Sequence, residues 1–200
     1  MKIIDLTQPL HNDMLYFDGD KPFCAKTQRI DDFTISEVSM SVHNGTHLDV
    51  FQHFTADRRN VQDFSLQDFV FSAWVFDVRD QLVIDVIDGL DRIHPGDAVL
   101  FYTGHAQYFK EKKYYQAYPV VSEKLVRELI DRGVKLIGLD TPSPDKAPYE
   151  MHRLLFDNEV FVVENLCRLE VLPQATKLQL FIVPLPLPTE ASPVRAFVMV

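Results

Sequence analysis

Four side chains capable of metal binding or proton transfer fall within one short segment of this 200-residue chain. They are His43, His47, Asp49 and His53, at positions i, i+4, i+6 and i+10. Neutral imidazole and carboxylate are ligands of divalent transition metals, and an imidazole also exchanges protons near neutral pH. The segment therefore indicates a metal site or a hydrogen-bonded polar patch, and the density of imidazoles favours the metal.

The backbone must fold back within this segment if one ion is to bind several of its side chains. A straight strand would place all four on one face but would separate His43 from Asp49 by roughly 20 Å. Metal bonds to nitrogen and oxygen are only about 2.0 to 2.2 Å long. Asn44-Gly45 supplies turn chemistry and is unfavourable inside a helix. We therefore predict a strand that ends in a turn, which gathers the ligands.

A single segment leaves the coordination sphere incomplete, and two distant residues are candidates for the remainder. His152 follows a proline-containing loop, and Glu164 follows the apolar run Val160 to Val163. A buried carboxylate without a partner is costly, so Glu164 needs a ligand, a partner or solvent. Each residue has an ordinary alternative, as a solvated loop residue or a salt-bridged strand end.

The elements that must position these residues are mostly strands. Runs rich in β-branched and aromatic residues, bounded by turn residues, predict the following strands: Ile3 to Leu6, Thr34 to Val42, Ala73 to Val78, Ala98 to Thr103, Val134 to Leu139, Val160 to Val163, Leu178 to Val183 and Val194 to Val200. One helix is predicted from the Ser122 cap to Gly133, and a second over Val61 to Phe71. Helix followed by strand indicates an α/β fold.

Composition narrows the classes of partner and compartment. With 29 Asp and Glu against 20 Lys and Arg, the chain has a net charge of −9, the wrong sign for a nucleic-acid partner. No apolar run approaches the roughly 20 residues of a membrane span. Cys24 and Cys167 lie far apart, which favours a reducing, cytoplasmic setting. The isolated histidines His11, His94 and His105 are expected on surface loops.

Residues 43 to 53 resemble the hallmark His-x-Gly-Thr-His-x-Asp-x-Pro-x-His of the metal-dependent cyclase-like hydrolases, which include bacterial kynurenine formamidase and isatin hydrolase. The chain matches every defined position except the proline, where Phe51 stands. The resemblance extends over most of the chain, through these segments: Asp5-Leu6-Thr7 with Pro9-Leu10, Gly19-Asp20, Leu139-Asp140-Thr141-Pro142-Ser143, and His152 followed by Glu164-Asn165.

The resemblance implies a single mixed α/β swivelling domain over residues 1–200, assembled into homodimers or homotetramers. It implies two divalent ions, zinc or manganese. His43, His47 and Asp49 would hold one, and Asp49 would bridge to a second that is bound by His152 and Glu164. His53 would be the catalytic acid/base.

Two departures from the family pattern concern the substrate more than the metal. Phe51 replaces the proline between Asp49 and His53, and is expected to narrow or reshape the pocket. The family's aromatic-Pro-Gly-Asp loop reads Phe17-Asp18-Gly19-Asp20 here, so that it keeps an aromatic residue and loses the proline. Phe17 is therefore a candidate substrate-binding residue, with an ordinary core or loop phenylalanine as the alternative.

These observations predict a cytoplasmic, metal-dependent hydrolase of an aryl formamide or related amide, such as N-formylkynurenine. An activated water would attack the amide, with His53 as acid/base. One alternative is the opening of a cyclic amide or lactone, as in isatin. Another is a metal-binding protein without turnover. The expected partners are a small-molecule substrate and further copies of the chain, with no nucleic acid and no membrane.

Overall fold

A computed structural model describes residues 2–174 and 176–200, and its regular structure mixes strands and helices as predicted. The strands are β1 Ile3–Asp5, β2 Cys24–Ile30, β3 Phe33–Ser39, β4 His47–Asp49, β5 Val70–Asp77, β6 Val83–Ile84, β7 Ala98–Tyr102, β8 Val120–Val121, β9 Leu136–Leu139, β10 Phe161–Glu164, β11 Leu178–Pro184 and β12 Ala191–Met199. The α-helices are α1 Glu123–Asp131 and α2 Glu150–Asp157.

Seven strands close into a barrel in the order β12, β11, β5, β7, β9, β10, β4, and β4 pairs again with β12. The neighbours β5, β7, β9 and β10 run parallel, and the other pairs in the ring are antiparallel. β9 and β10 are buried along their whole length, as expected for parallel strands covered on both faces. β1 extends the sheet beside β12. The barrel core fixes the strand ends that carry the candidate site.

The predicted helix that begins after Ser122 is confirmed as α1. The Ser122 hydroxyl accepts a hydrogen bond from the backbone N–H of Leu125 at 3.1 Å and so caps the first turn. Leu125 and Leu129 share the buried face. Gly133 follows the helix at φ +75°, where a Cβ would lie 3.0 Å from Pro95. Cap, apolar stripe and terminal glycine therefore all act as the sequence indicated.

The helix predicted over Val61 to Phe71 is wrong. This segment forms two short 3₁₀ helices, Val61–Asp63 and Leu66–Phe69, and β5 begins at Val70. Asn60 and Ser65 each cap a turn of their own, paired with an acid three residues later. Two start signals so close together interrupt the segment, and one continuous helix does not form.

The strand predicted from Thr34 to Val42 ends early, because β3 stops at Ser39 and the chain turns before β4. β2 and β3 form an antiparallel hairpin that is exposed along all of β3 and most of β2. Ile30, Phe33 and Ile35 lie on one face of this exposed hairpin, since alternate residues and directly paired residues share a face. The hairpin is an appendage of the barrel and not part of its core.

Three elements beside β4 carry candidate site residues. β10 pairs with β4 and brings Glu164 opposite His47. A 3₁₀ helix, Phe51–His53, follows β4. α2, which carries His152, was not predicted as a helix, because Tyr149 precedes it at φ +62° with no side-chain cap of its own. Neither α1 nor α2, nor any other described helix, is long and apolar enough to cross a membrane.

Candidate metal centre

The predicted turn within the histidine segment is confirmed. The backbone N–H of Asn44 donates to the Ser41 carbonyl at 3.1 Å, and the Asn44 side chain accepts from the Ser41 N–H at 2.7 Å. Gly45 adopts φ +68°, and a Cβ there would lie 2.5 Å from Leu10 Cδ2. Only glycine satisfies both the dihedral angle and this close approach. The turn therefore returns the chain toward His43 and starts β4.

β4 and its neighbours bring three further candidate ligands together. His47 and Asp49 are two residues apart on β4, so their side chains share a face. His47 Nε2 lies 3.3 Å from Glu164 Oε2 on the paired strand. His152 Nε2, from α2, lies 3.3 Å from Glu164 Oε1 and 3.9 Å from Asp49 Oδ2. Strand register and helix docking thus assemble what the sequence separates by more than one hundred residues.

Asp49 lies at the middle of the group. Its Oδ1 is 3.1 Å from His43 Nδ1 and 3.4 Å from His47 Nε2. Ligand atoms of His43, Asp49 and His53 all lie within 4.8 Å of one another. The same holds for ligand atoms of His47, Asp49 and Glu164, so Asp49 belongs to both groups. All six predicted metal and acid/base residues therefore meet in one place. Which ion each would hold, and whether His53 acts as acid/base, stay predictions.

The donor set fits a divalent ion. His47 Nε2 and Asp49 Oδ1 belong to residues that are each 1% exposed. Their polar neighbours at 3.1 to 3.4 Å are not in hydrogen-bond geometry, so neither atom has a hydrogen-bond partner among the described residues. Leaving buried polar atoms unpaired is costly in free energy, so native proteins almost always satisfy them. Coordination by a shared ion would satisfy both, and mixed imidazole and carboxylate donors suit a first-row transition metal.

The electrostatics of the candidate ligands are those of closely paired imidazoles and carboxylates. Burial alone would lower the pKa of His43, but Asp49 and Glu190 outweigh it and raise the pKa to about 11. The pKa of His47 is raised in the same way by Asp49 and Glu164. Burial would raise the pKa of Asp49, but the facing histidines lower it. The metal-free cluster therefore holds protons that an ion would displace.

His53 differs from the other histidines of the site. Burial lowers its pKa, and repulsion by His43 and His152 contributes to the lowering, against the attraction of Asp49 and Glu164. Its ring is 4.5 Å from the ring of His43 between centroids. An imidazole with a lowered pKa is neutral near pH 7 and can accept a proton. The site thus contains one histidine with the properties of a general base.

Several polar groups hold the ligands from behind, and sequence reasoning missed most of them. His47 Nδ1 donates to the Gly45 carbonyl at 2.9 Å, which leaves Nε2 facing Asp49 and Glu164. Asn165 also donates to the Gly45 carbonyl, and accepts from the buried Tyr114 hydroxyl at 2.8 Å. Asn165 was noticed through its place after Glu164, whereas no signal in the sequence connected Tyr114 with the site.

Aromatic side chains form the walls of the cleft above the ligands. Phe17 lines this cleft, and its ring meets Tyr115 edge to face at 6.1 Å. Phe54 and Tyr149 line it as well, with ring centroids 5.3 Å apart. The structure thus places Phe17 at the site, and its role in substrate binding stays a prediction. The other three aromatic residues were not singled out by sequence.

The side chain of Phe51 does not line the pocket, so it does not narrow it directly. Its side chain is buried and stacks on Phe161 at 4.8 Å, with Phe64 edge to face at 5.5 Å, and it is not among the residues that line the cleft. Direct narrowing of the pocket by Phe51 is excluded, because residue 51 begins the 3₁₀ helix and its side chain packs into the aromatic core.

The expectation that His105 lies on a surface loop is also wrong. His105 is buried, its Nε2 donates to the Tyr114 carbonyl at 2.9 Å, and its ring stacks on Tyr114 at 5.0 Å. The residue follows Gly104 and begins a 3₁₀ helix, His105–Tyr108, whose first residue is buried. His105 is therefore a hydrogen-bonded core histidine and does not line the cleft.

Known proteins are similar in sequence to this chain over nearly its whole length. Residues 4–146 match the model of the Cyclase family. The chain is 32% identical over 212 aligned residues to a kynurenine formamidase from Bacillus cytotoxicus, covering 98% of this chain and 96% of that protein. It is 28% identical to a kynurenine formamidase from Bacillus anthracis, covering 98% of this chain and 97% of that protein.

Solved structures share the fold. Isatin hydrolase A from Labrenzia aggregata, bound to benzyl benzoate, superposes with a TM-score of 0.88 at 24% identity, covering 100% of this chain and 93% of that one. A protein described as a "Potential Metal-Dependent Hydrolase With Cyclase Activity" superposes with a TM-score of 0.82 at 27% identity, covering 98% and 96%. The chain thus shares the fold of these proteins.

Proposed function

The chain belongs to the Cyclase family, and from this premise we propose that it is a metal-dependent hydrolase that cleaves aryl formamides, with N-formylkynurenine as the model substrate. One observation carries the proposal. Four histidines and the carboxylate of Glu164 converge on Asp49 in a cleft that aromatic side chains line. The relatives that bear the name kynurenine formamidase match the chain over nearly its full length, which supports the same substrate class here.

The candidate ligands divide around Asp49. We propose that His43, His47 and Asp49 hold one ion, and that Asp49, His152 and Glu164 hold a second. Zinc or manganese suits this donor set. Such an ion, when bound, lowers the pKa of its water to about 7 and polarises a substrate oxygen.

His53 has the environment of an acid/base residue. Its lowered pKa keeps the imidazole neutral near pH 7, so it can take a proton from the attacking water. The protonated ring can then deliver that proton to the nitrogen of the departing amine. Its position at the end of the Phe51–His53 helix, beside His43, places it at the edge of the ligand cluster.

The walls of the cleft favour an aryl substrate. Phe17 and Tyr115 lie on one side, and Phe54 and Tyr149 pack against each other within the same cleft. Aromatic rings recognise one another through edge-to-face and offset contacts at about 4.5 to 7 Å between centroids. We propose that the aryl ring of the substrate binds among these residues, with Phe17 as one contact.

A second candidate function is the opening of a cyclic amide or lactone. The likeness to isatin hydrolase A favours it, because the two proteins share the fold over the full chain. Both reactions need an activated water and a proton for the leaving group, so the ligand cluster serves either. The two functions differ in the shape of the substrate.

A direct assay separates these functions. Protein of measured zinc and manganese content would be incubated with N-formylkynurenine, isatin and a simple lactone, with chelator-stripped protein as the control. We expect release of formate from N-formylkynurenine at the highest kcat/KM, and loss of turnover on stripping. Preferential opening of isatin would favour the second function. Metal binding with no turnover of any of these substrates would contradict both.

The exposed hairpin supports a further proposal, that the chain forms a homodimer or homotetramer. Phe33 and Ile35 present exposed apolar surface on one face of this hairpin. Monomeric proteins seldom leave a large apolar cluster exposed to solvent. Phe33→Glu is expected to reduce the mass in sedimentation velocity, whereas Ser36→Glu, on the opposite face, is expected to leave it unchanged. A monomeric wild-type protein would contradict the proposal.

We also propose that the protein works in the cytoplasm. Cys24 and Cys167 are both free, which suits a reducing compartment. Cell fractionation followed by immunoblotting tests this location, and recovery of the protein only outside the cytoplasm would contradict it.

A further inference from the structure

Asp145 lies directly behind the candidate ligand His152. Its Oδ1 is 2.6 Å from His152 Nδ1, while its Oδ2 accepts from the backbone N–H groups of Met151 at 2.8 Å and His152 at 3.2 Å. Asp145 is only 6% exposed and belongs to the loop that precedes α2. One carboxylate thus contacts both the first turn of the helix and the ring of a residue within that turn.

Two carboxylates face the ring of His152, and the shorter contact, 2.6 Å from Nδ1 to Asp145 against 3.3 Å from Nε2 to Glu164, favours the proton on Nδ1 in the neutral ring. A carboxylate only accepts hydrogen bonds, so Nδ1 of His152 then donates to Asp145. The Nε2 lone pair is then available on the side that faces Glu164 Oε1 at 3.3 Å and Asp49 Oδ2 at 3.9 Å. The opposite tautomer would carry its proton on Nε2 and could not ligate a metal through that atom.

We propose that Asp145 is a positioning residue, which holds the ring of His152 in the orientation and tautomer that metal ligation through Nε2 requires. The inference rests on the proposed function in so far as His152 is taken as a ligand. Outer carboxylates that accept from a ligating imidazole strengthen metal binding, and their loss typically costs about 10- to 100-fold in affinity.

The structural alternative is that Asp145 only caps α2. The two roles use different oxygens, so one substitution can separate them. In Asp145→Asn the amide oxygen can still accept from the Met151 and His152 N–H groups. The amide NH₂ then faces His152 Nδ1 and, as a donor, favours the tautomer protonated on Nε2. The helix cap is preserved while the ring is held in the wrong state.

Metal titration of the stripped protein measures the effect. Isothermal titration with Zn²⁺ is expected to show an affinity about 10- to 100-fold weaker for one ion in Asp145→Asn than in the wild type. Above about pH 9, where His152 of the wild type is neutral, the thermal midpoint of the metal-free variant should stay near that of the wild type. Asp85→Asn is the matched control, because Asp85 accepts from Ser122 at the start of α1, and its substitution should leave metal affinity unchanged.

Nitrogen NMR of histidine-labelled, metal-free protein reports the tautomer itself. At a pH where the ring is neutral, we expect the proton of His152 on Nδ1 in the wild type and on Nε2 in Asp145→Asn. A helix cap without a positioning role would not move this signal. Should Asp145→Asn keep both the wild-type tautomer and the wild-type zinc affinity, the inference would be overturned, whether or not its thermal midpoint falls.

These readouts need no substrate. A chain whose zinc affinity depends on Asp145, but which hydrolyses neither formamides nor cyclic amides, would support the positioning role and contradict the proposed function. Turnover of N-formylkynurenine with unchanged zinc affinity in Asp145→Asn would do the reverse.

Discussion

Asp49 divides the candidate centre into two halves that differ in their exposure and in how they are held. The buried half comprises His47, His152 and Glu164, which are 1%, 3% and 5% exposed and lie on β4, α2 and β10. The open half comprises His43 and His53, which lie in a turn and in a 3₁₀ helix and are partly exposed.

The difference indicates that the two halves have different functions. Regular elements and buried acceptors fix the buried half, as precise metal ligation requires. The open half borders the cleft that substrate must enter, and it contains the one histidine of the cluster whose pKa is lowered. We infer that the buried half serves metal binding, whereas the open half combines one proposed ligand, His43, with His53, the proposed acid/base residue. Each of the following changes tests this comparison.

Asp49→Ala is expected to have the largest effect, because Asp49 is shared by both halves. Losing the shared ligand is expected to remove several kcal/mol of the transition-state stabilisation that the metal supplies. A loss of about 5.4 kcal/mol would lower turnover by about 10⁴-fold. Elemental analysis should show depleted metal, and formamide hydrolysis should fall to match. The exposed Asp88→Ala is the control. Undiminished metal content in Asp49→Ala would remove this residue as the bridge.

His53→Ala is expected to separate chemistry from binding. Turnover should fall by about 10²- to 10⁴-fold, the usual loss for an acid/base residue, while metal content stays near that of the wild type. His152→Ala, in the buried half, should instead lose metal. His94→Ala, an exposed histidine outside the cleft, should change neither quantity. If His53→Ala kept full activity on a confirmed substrate, His53 would not be the acid/base residue.

The centre shows what a sequence can and cannot specify. The spacing of His43, His47 and Asp49 requires a folded-back backbone, and Asn44-Gly45 supplies it, so the turn follows from local chemistry. Eight of the strands and α1 likewise follow from patterns of neighbouring residues, whereas β2, β4, β6 and β8 were not predicted. The distant pair, His152 and Glu164, was found from residue type and family resemblance, and the register of β10 on β4 explains its closeness.

Other features depend on packing between distant segments and leave no local pattern. α2 begins without a side-chain cap at Tyr149, and Asp145 accepts from its first turn instead. The inward direction of Phe51 is set by the aromatic rings of Phe64 and Phe161 around it. Side-chain direction of this kind follows from the assembled core, and a scan for periodicity does not detect it.

The free energy of unfolding should depend on pH differently in the metal-free and the metal-loaded protein, because of the histidines in the buried half. Burial would lower the pKa of His152, but Asp145 and Glu164 raise it from 6.5 to about 9 in the metal-free protein. The folded chain therefore keeps a proton that the unfolded chain loses near pH 6.5. The stability due to His152 is complete below pH 6.5 and is lost as pH rises through about 9, by up to about 1.4 kcal/mol per pH unit. The raised pKa values of His43 and His47 make stability fall with rising pH in the same direction.

Metal binding should show the opposite trend, because the ion displaces this proton. Zinc affinity is expected to rise about tenfold per pH unit for each proton released. Thermal unfolding of stripped and loaded protein across this range measures both trends, with His94→Ala as a control that keeps them. Stability of the stripped protein that stays level from pH 6.5 to 9 would show that His152 is not charged in the folded state.

Glu190→Gln is expected to have the smallest effect, although its contact resembles that of Asp145. Glu190 Oε1 lies 3.2 Å from His43 Nε2, but its side chain is 38% exposed, so water can replace the contact. Exposed pairs of this kind contribute about 0 to 1 kcal/mol, which limits the loss of zinc affinity to about fivefold. Zinc titration of Glu190→Gln and Asp145→Asn in parallel compares an exposed acceptor, Glu190, with a buried one, Asp145, each in contact with a candidate ligand. An equal loss in the two variants would show that burial does not determine how strongly an acceptor supports its histidine, and the distinction between the halves would then rest on their position in the cleft alone.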